Sequence, residues 1–280
     1  MEPSISSTSG RLVVVTGAGQ GIGRATAARF AARGDRVIAT VRDGDRARAL
    51  TEEAQRASLP LEYVALELVS GDGFDEVLER VEAARGLDVL VNNAGVGVLG
   101  SVEEVGDEQV RHQFAVNVFG PLALTRRLLP GLRRRRGHVV WVGSLAGRMA
   151  LPFQAHYSAT KAAIASLSDA MRLELAPHGV RVTCVEPSDF ATGFTDARVV
   201  ARVPGSAYAS ALETCLREVE KQERGARAPD WVAKVIVAAA SDGKAPARRP
   251  VGQNARTICL LQRLLPARIV ERLVGSHYGL

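Results

Sequence analysis

The sequence predicts an α/β fold built on one doubly wound parallel sheet of about seven strands, with helices on both faces. Three observations predict it. Short Val/Ile/Leu runs alternate with longer amphipathic segments along most of the chain. Those apolar runs are continuous, as strands covered on both faces require, and lack the alternation of a half-solvated sheet. A glycine-rich turn joins the first apolar run directly to the first helical segment.

Taken in order, strands are expected at Leu12–Val15, Arg36–Val41, Glu62–Leu66, Leu87–Val91, His138–Val142 and Val180–Val185, with a short one near Val251. Helical periodicity falls between them, at Ile22–Arg33, Asp43–Ala57, Phe74–Ala84, Glu108–Leu132, Ala155–Ala176 and Pro229–Ala239. Right-handed crossovers then put ligands outside the carboxyl ends of the strands. Two segments break the rhythm. Ser188–Ala228 is a long mixed insertion before the last helix, expected to act as a substrate lid, and 253–280 is a C-terminal extension. Residues 1–10, MEPSISSTSG, read as a disordered lead-in, so 11–280 is expected to form a single domain.

Composition narrows the function. A chain of 280 residues, 46% of them hydrophobic, can bury one sizeable core. The net charge is +6, yet 32 of the 36 basic residues are arginines spread along the chain. The one dense patch, Arg133–Arg136, follows a helical run whose C-terminal dipole favours cations, and no binding motif accompanies it. Nucleic acid is therefore not an expected partner. Cys184, Cys215 and Cys259 are scattered, with no CxxC or Cys/His cluster, which argues against a disulfide framework or a metal site, and Cys184 is expected within a buried strand. No apolar run is long enough to span a bilayer and the lead-in lacks a signal-peptide pattern. The expectation is a soluble, cytoplasmic protein with no membrane partner.

After the first strand comes Thr16-Gly17-Ala18-Gly19-Gln20-Gly21-Ile22-Gly23, running straight into a helix. Gly17 allows a tight turn, Gly21 a close backbone approach to a pyrophosphate, and Gly23 close packing of helix on sheet. The free N–H groups of the helix start favour anionic phosphate. This strand–turn–helix context marks a Rossmann-type dinucleotide site, with Gln20 and Ile22 in the same loop.

Tyr157 and Lys161 stand four apart on one helical face, in a chain with only four lysines and four tyrosines. Ser144 follows the strand HVVWVGS at its carboxyl end. The set suits carbonyl chemistry. A ketone accepting hydride becomes an alkoxide and needs a proton donor in reach. A free phenol, with pKa ~10, needs about 4 kcal/mol of help to titrate near neutrality. One ammonium ~4 Å away supplies about that much at an effective dielectric near ~20. Ser144 can hold the substrate oxygen and stabilise its developing charge. His156, beside Tyr157, is not needed as an acid or base and is read as a pocket or surface residue.

The TGxxxGxG spacing, Asn92-Asn93-Ala94-Gly95, Asn117-Val118-Phe119-Gly120, Ser144, Tyr157-Ser158-Ala159-Thr160-Lys161 and Pro187…Thr192 follow one another in the order and spacing of a known family. Over roughly 11–195 the chain resembles the short-chain dehydrogenase/reductase family. The resemblance implies an oxidoreductase with a catalytic set of Asn117, Ser144, Tyr157 and Lys161. In that set Lys161 also bonds the nicotinamide ribose, and Asn117 holds a relay water. It implies that Glu67 and Leu68 flank the adenine, that Asn93, Ala94 and Gly95 lie along the adenosine side, and that Pro187 and Thr192 sit by the nicotinamide. The chain departs from the family at Ser188, where a glycine usually stands. The second strand ends Val41-Arg42-Asp43, with valine where an NAD site places its ribose-binding acid. Arg42 can pair with a 2′-phosphate, so the expected cofactor is NADP(H); the alternatives are a solvated Arg42 or an Asp43 that swings in.

Ser144, Leu151, Phe153 and Phe194, with Phe190, Leu212 and Leu216, are expected to wall a substrate pocket or else to pack on one another as core. The phrase VIATVRD and the C-terminal extension resemble the hydroxysteroid and retinol dehydrogenase branch, which implies a steroid, polyketide or other lipophilic ketone. Two other functions fit the sequence, an NADP(H)-binding epimerase or isomerase and a catalytically silent NADP(H) sensor. The faces of Glu108–Leu132 and Ala155–Ala176, paired in relatives, imply a homodimer or homotetramer.

Overall fold

The structure, a computed structural model, describes residues 10–188, 190, 198–224 and 227–280. Its chain runs β1 (Leu12–Val15), α1 (Gly21–Ala31), β2 (Arg36–Val41), α2 (Gly44–Arg56), β3 (Leu61–Ala65), α3 (Phe74–Ala83), β4 (Val89–Asn92) and β5 (Val98–Leu99). It continues α4 (Asp107–Phe114), α5 (Gly120–Arg135), β6 (His138–Val142), α6 (Ala155–Leu175), β7 (Arg181–Pro187) and β8 (Val199–Val200). The last elements are α7 (Ala209–Arg224), α8 (Pro229–Ser241), β9 (Arg248–Val251), α9 (Ala255–Leu264) and α10 (Ala267–His277).

Seven strands form one parallel sheet in the order β3-β2-β1-β4-β6-β7-β9. The chain winds outward from β1 to β3, then crosses to β4 on the other side of β1. That reversal leaves a crevice at the carboxyl ends of β1 and β4.

The period of two along each strand divides the core between the two faces. Val13 and Val15, Val89 and Val91, and Val140 and Val142 point to one face, with Phe30 of α1 and Ile236 of α8. Leu12 and Val14, Leu90, Val139 and Trp141 point to the other, with Val77 of α3, Leu128 of α5 and Ile164 of α6. Each buried side chain of this size contributes about 1.5–3 kcal/mol, which is why the strands read as unbroken apolar runs.

Several boundaries differ from expectation for identifiable reasons. The fourth strand starts at Val89, because the Leu87 amide bonds to Gly131 of α5 instead of entering the ladder. The sixth expected strand runs on to Pro187, with the Ser188 amide bonding to Val251. Glu108–Leu132 lies in a longer helical run that contains a π-turn at Ala115–Phe119. The insertion contributes α7 and a short parallel pair, β5–β8, and the C-terminal extension folds as two helices. Arg133–Arg136 ends α5, where Arg134 pairs with Glu82 of α3 at 2.6 Å. Cys184 is buried in β7.

Candidate active site

The turns after β1 and β4 are locked together at the crevice. Thr16 Oγ1 accepts from the amides of Asn93 and Ala94 at 3.0 and 3.1 Å. Asn93 Nδ2 donates back to the carbonyls of Thr16 and Gly17 at 2.9 and 3.0 Å. Gly17 has φ 63°, and a Cβ there would lie 2.7 Å from Ala94 Cα. A Cβ on Gly23 would overlap the Gly17 carbonyl and the Asn93 amide group, so only glycine lets α1 start so close to the sheet. Among the described residues the start of α1 carries no acid in its first turn, and Gln20 makes no side-chain cap. Its N–H groups therefore fit a pyrophosphate. Gln20 is exposed and Ile22 packs on the core of the α1 face. Thr16 was not singled out by sequence reasoning; its only signal was its place before the first glycine.

At the end of β2, Val41 is buried and Arg42 exposed. Asp43 is the N-cap of α2, its Oδ1 accepting from the Arg46 amide at 2.7 Å. That satisfies one of the otherwise orphaned amides of the helix start. Arg46 Nη2 reaches back 2.9 Å to the carbonyl of Gly19 in the glycine turn. Two arginines thus flank the position where an NAD site carries an acid. Arg46 also escaped sequence reasoning, and a basic residue three after a capping aspartate was the available sign. At the end of β3, Glu67 Oε1 accepts from the Val69 amide at 3.1 Å, and Leu68 is buried against the α3/α5 side of the core.

The π-turn carries Asn117. One extra residue per turn swings its side chain off the α5 register, and Oδ1 accepts from the Val96 amide at 2.8 Å. Its Nδ2 donates to the Val96 carbonyl at 3.0 Å and to Thr160 Oγ1 at 3.1 Å. The Thr160 hydroxyl donates to the Tyr157 carbonyl at 2.8 Å. Asn117 thereby joins the loop after β4 to α6, beside the two residues that loop and helix bring together.

Lys161 is buried; its Nζ donates to the Val142 carbonyl at 3.0 Å and lies 5.6 Å from the centre of the Tyr157 ring. Burial lowers its pKa to about 8, against an upward pull from Cys184. Gly95 keeps the approach open: a Cβ there would stand 3.2 Å from Asn117 Oδ1 and 3.8 Å from Lys161 Nζ. Ser144, just past β6, starts a 3₁₀ turn and accepts from the Ala146 amide at 3.1 Å. The following Arg148 reaches the buried Glu186 of β7 at 2.6 Å, and burial pushes that carboxyl above its usual range despite the arginine. Asn117, Tyr157 and Lys161 are thus linked through Gly95 and Thr160, and Ser144 stands two residues beyond Val142, whose carbonyl Lys161 bonds. His156 is half-buried on the same helix.

On the substrate side, Phe153 has φ 57°, an uncommon backbone for a bulky residue, and its carbonyl accepts from the Gly100 amide at 2.9 Å. It packs with Leu99 and with Leu212 and Leu216 of α7. Leu151 packs with Cys215, Val219 and Tyr278. Phe190 departs from expectation: it stacks on Trp231 of α8 at 6.0 Å and belongs to the core of the opposite sheet face. Pro187 pairs with Val251, and Ser188 is accommodated by Gly252, where a Cβ would overlap the Ser188 hydroxyl. Thr192 and Phe194 lie outside the described residues.

Comparison with known proteins gives the family. Residues 11–202 match the family described as short chain dehydrogenase. The chain is 31% identical over 275 residues to the 3-ketodihydrosphingosine reductase of Bacteroides thetaiotaomicron, covering 96% of this chain and 98% of that protein. It is 36% identical over 187 residues to the NADPH-dependent 3-dehydrocapnine reductase of Ornithobacterium rhinotracheale, 65% of this chain and 66% of that one. The crystal structure of a short-chain dehydrogenase from Streptomyces avermitilis superposes with a TM-score of 0.81 at 32% identity, covering 99% and 98% of the two chains.

Proposed function

The chain belongs to the short-chain dehydrogenase family, oxidoreductases acting on CH–OH and C=O groups, and on that premise we propose that it uses NADP(H) to interconvert a ketone and a secondary alcohol on a bulky hydrophobic substrate. The observation that carries the cofactor choice is at the end of β2. Asp43 spends its carboxylate on the α2 cap, while Arg46 reaches the glycine turn at Gly19 and Arg42 stands exposed just past β2. Carboxylate there would repel a 2′-phosphate; guanidinium groups attract it and bond it. Gly17, Gly21, Gly23 and the start of α1 would hold the pyrophosphate, with Asn93, Ala94 and Gly95 along the adenosine side and Glu67 and Leu68 by the adenine. Pro187 would lie by the nicotinamide.

When bound, the nicotinamide supplies or accepts the hydride. The protein's residues manage the proton and the oxygen. Ser144 donates to the substrate oxygen and stabilises charge as it develops there. The Tyr157 hydroxyl gives that oxygen its proton in reduction and takes it back in oxidation. Lys161, charged at neutral pH with a pKa of about 8, lowers the phenol's proton affinity through its field. Asn117 holds the relay water through which the proton is replaced. Leu151 and Phe153, partly buried against α7, would face the apolar part of the substrate.

Two relatives are by name reductases, one of a 3-keto compound and one NADPH-dependent. The exposed Phe119 and Leu173, on the long α4–α5 run and on α6, support self-association into a homodimer or homotetramer through these helices. The test of the function is NADPH oxidation against a panel of hydrophobic ketones. A reductase consumes NADPH in step with alcohol formed; an epimerase converts substrate without net consumption, and a sensor converts nothing.

A further inference from the structure

Six of the large apolar side chains most open to solvent fall in the last two helices and the C-terminus: Leu260, Leu261, Leu264, Ile269, Leu273 and Leu280. They do not result from loose packing. α9 is held to the body by its opposite side, with Ala255 buried and Gln262 donating to the Arg148 carbonyl. α10 is held by Val274 and by Tyr278, which packs on Cys215 and Val219 of α7, and by a 2.8 Å bond between His277 and Gln222. Leucines at 260, 261 and 264 recur at i, i+1 and i+4, and Ile269 and Leu273 at i and i+4, so each helix shows an apolar stripe to solvent. Leu264 is 68% exposed and Leu273 56%, which is costly for a surface that stays wet.

The charge beside these stripes bears on what covers them. Arg256, Arg263, Arg268 and Arg272 are exposed along the same two helices, and Glu271 is the one acid in 253–280. A second copy docked on this face by twofold symmetry would bring arginine-rich surfaces together. An anionic surface suits the arginines, and a fluid apolar layer beneath it suits the leucines. Between Val270 and Val274 of α10 and the loop at Met149 and Pro152 lies an apolar groove of about 510 Å³, to which Leu280 contributes. No helix among the described residues is long and apolar enough to cross a membrane.

We propose that α9 and α10 dock the protein on the surface of an anionic lipid bilayer, the leucines entering the acyl boundary and the arginines pairing with headgroup phosphates. This departs from the expectation of a protein without a membrane partner, and it does not depend on the cofactor or substrate proposed above.

The test is co-sedimentation of the full chain with extruded vesicles of phosphatidylcholine, or of an equimolar mixture with phosphatidylglycerol. The wild type pellets with the mixed vesicles and stays in solution with phosphatidylcholine alone. The triple variant Leu260→Gln, Leu264→Gln, Leu273→Gln keeps its thermal midpoint and loses binding by about tenfold per leucine. The variant Arg256→Gln, Arg263→Gln, Arg268→Gln, Arg272→Gln loses about fivefold per arginine, and raised salt has the same effect on the wild type. Equal partition of the wild type into both vesicle types, absence of binding to either, or undiminished binding of the leucine variant overturns the proposal. So does light scattering in which the leucine variant falls from an oligomer to a monomer, which would assign the face to a second copy.

Discussion

The Asp43 carboxylate accepts the backbone amide of Arg46 at 2.7 Å, and the same Arg46 extends its guanidinium to the Gly19 carbonyl at 2.9 Å. One short relationship therefore retires the acid and recruits a base at the site that selects the dinucleotide. Arg42→Ala and Arg46→Ala should each raise the KM for NADPH about ten- to hundredfold, a loss of about 1.5–3 kcal/mol for a charge-assisted contact. The KM for NADH should barely move. Val41→Asp should invert the preference. Initial-rate kinetics with both cofactors check this, and equal weakening of both by Arg42→Ala and Arg46→Ala would return the two arginines to the solvated surface.

Asp43→Ala should cost about 1 kcal/mol of stability through the lost cap, while Asp43→Asn keeps an acceptor and should cost far less. Neither should improve NADH use, because the carboxylate faces the helix amide. Thermal unfolding beside the two KM values separates these effects.

Lys161 gives stability away for function. Its pKa falls from 10.5 to about 8 on folding, so between these values the unfolded chain binds the extra proton. The lysine's contribution to stability should therefore rise as pH climbs from about 8 toward 10.5, and the full penalty of burying the charge is present below about 8. Lys161→Met removes the charge and keeps much of the volume. It should lose turnover yet unfold no earlier than the wild type at pH 7, with a gain of up to about 3 kcal/mol less the lost bond to Val142. Its stability advantage over the wild type should shrink across that pH window, while the buried thiols Cys184 and Cys215 pull both proteins down alike above about 9.

His138 works in the opposite part of the scale. Buried between β6 and β7 and bonded to Thr183 Oγ1 at 3.0 Å, it has its pKa lowered by burial from 6.5 to about 3. It stays neutral in the folded protein, so stability is complete above about 6.5 and is lost as pH falls from there toward 3. The loss should reach about 5 kcal/mol. Chemical denaturation as a function of pH should show a shallower acid limb for His138→Gln, which cannot take up the proton.

Much of this molecule was legible in its residues. Strands buried on both faces leave unbroken Val/Ile runs, and Tyr157 and Lys161 announce a shared helical face by their spacing of four. Other features leave no such trace. The π-turn at Asn117 is one residue of extra winding with no composition of its own. Arg46 meets Gly19 only because α2 leaves β2 at a particular angle. Phe190 sits three residues beyond Pro187, and nothing in that spacing shows to which sheet face the chain turns. The C-terminal helices carry apolar residues both inward and outward, which blurs the single-faced period that marks a helix.

The measurement closest to the central claim is NADPH oxidation by the wild type and by Tyr157→Phe with the same hydrophobic ketones. The account predicts stoichiometric NADPH consumption and alcohol formation by the wild type. It predicts a Tyr157→Phe protein that folds and binds NADPH normally but turns over about a hundredfold more slowly or worse. A wild type that leaves NADPH untouched with every ketone, or a Tyr157→Phe protein that keeps near-normal turnover, would contradict it.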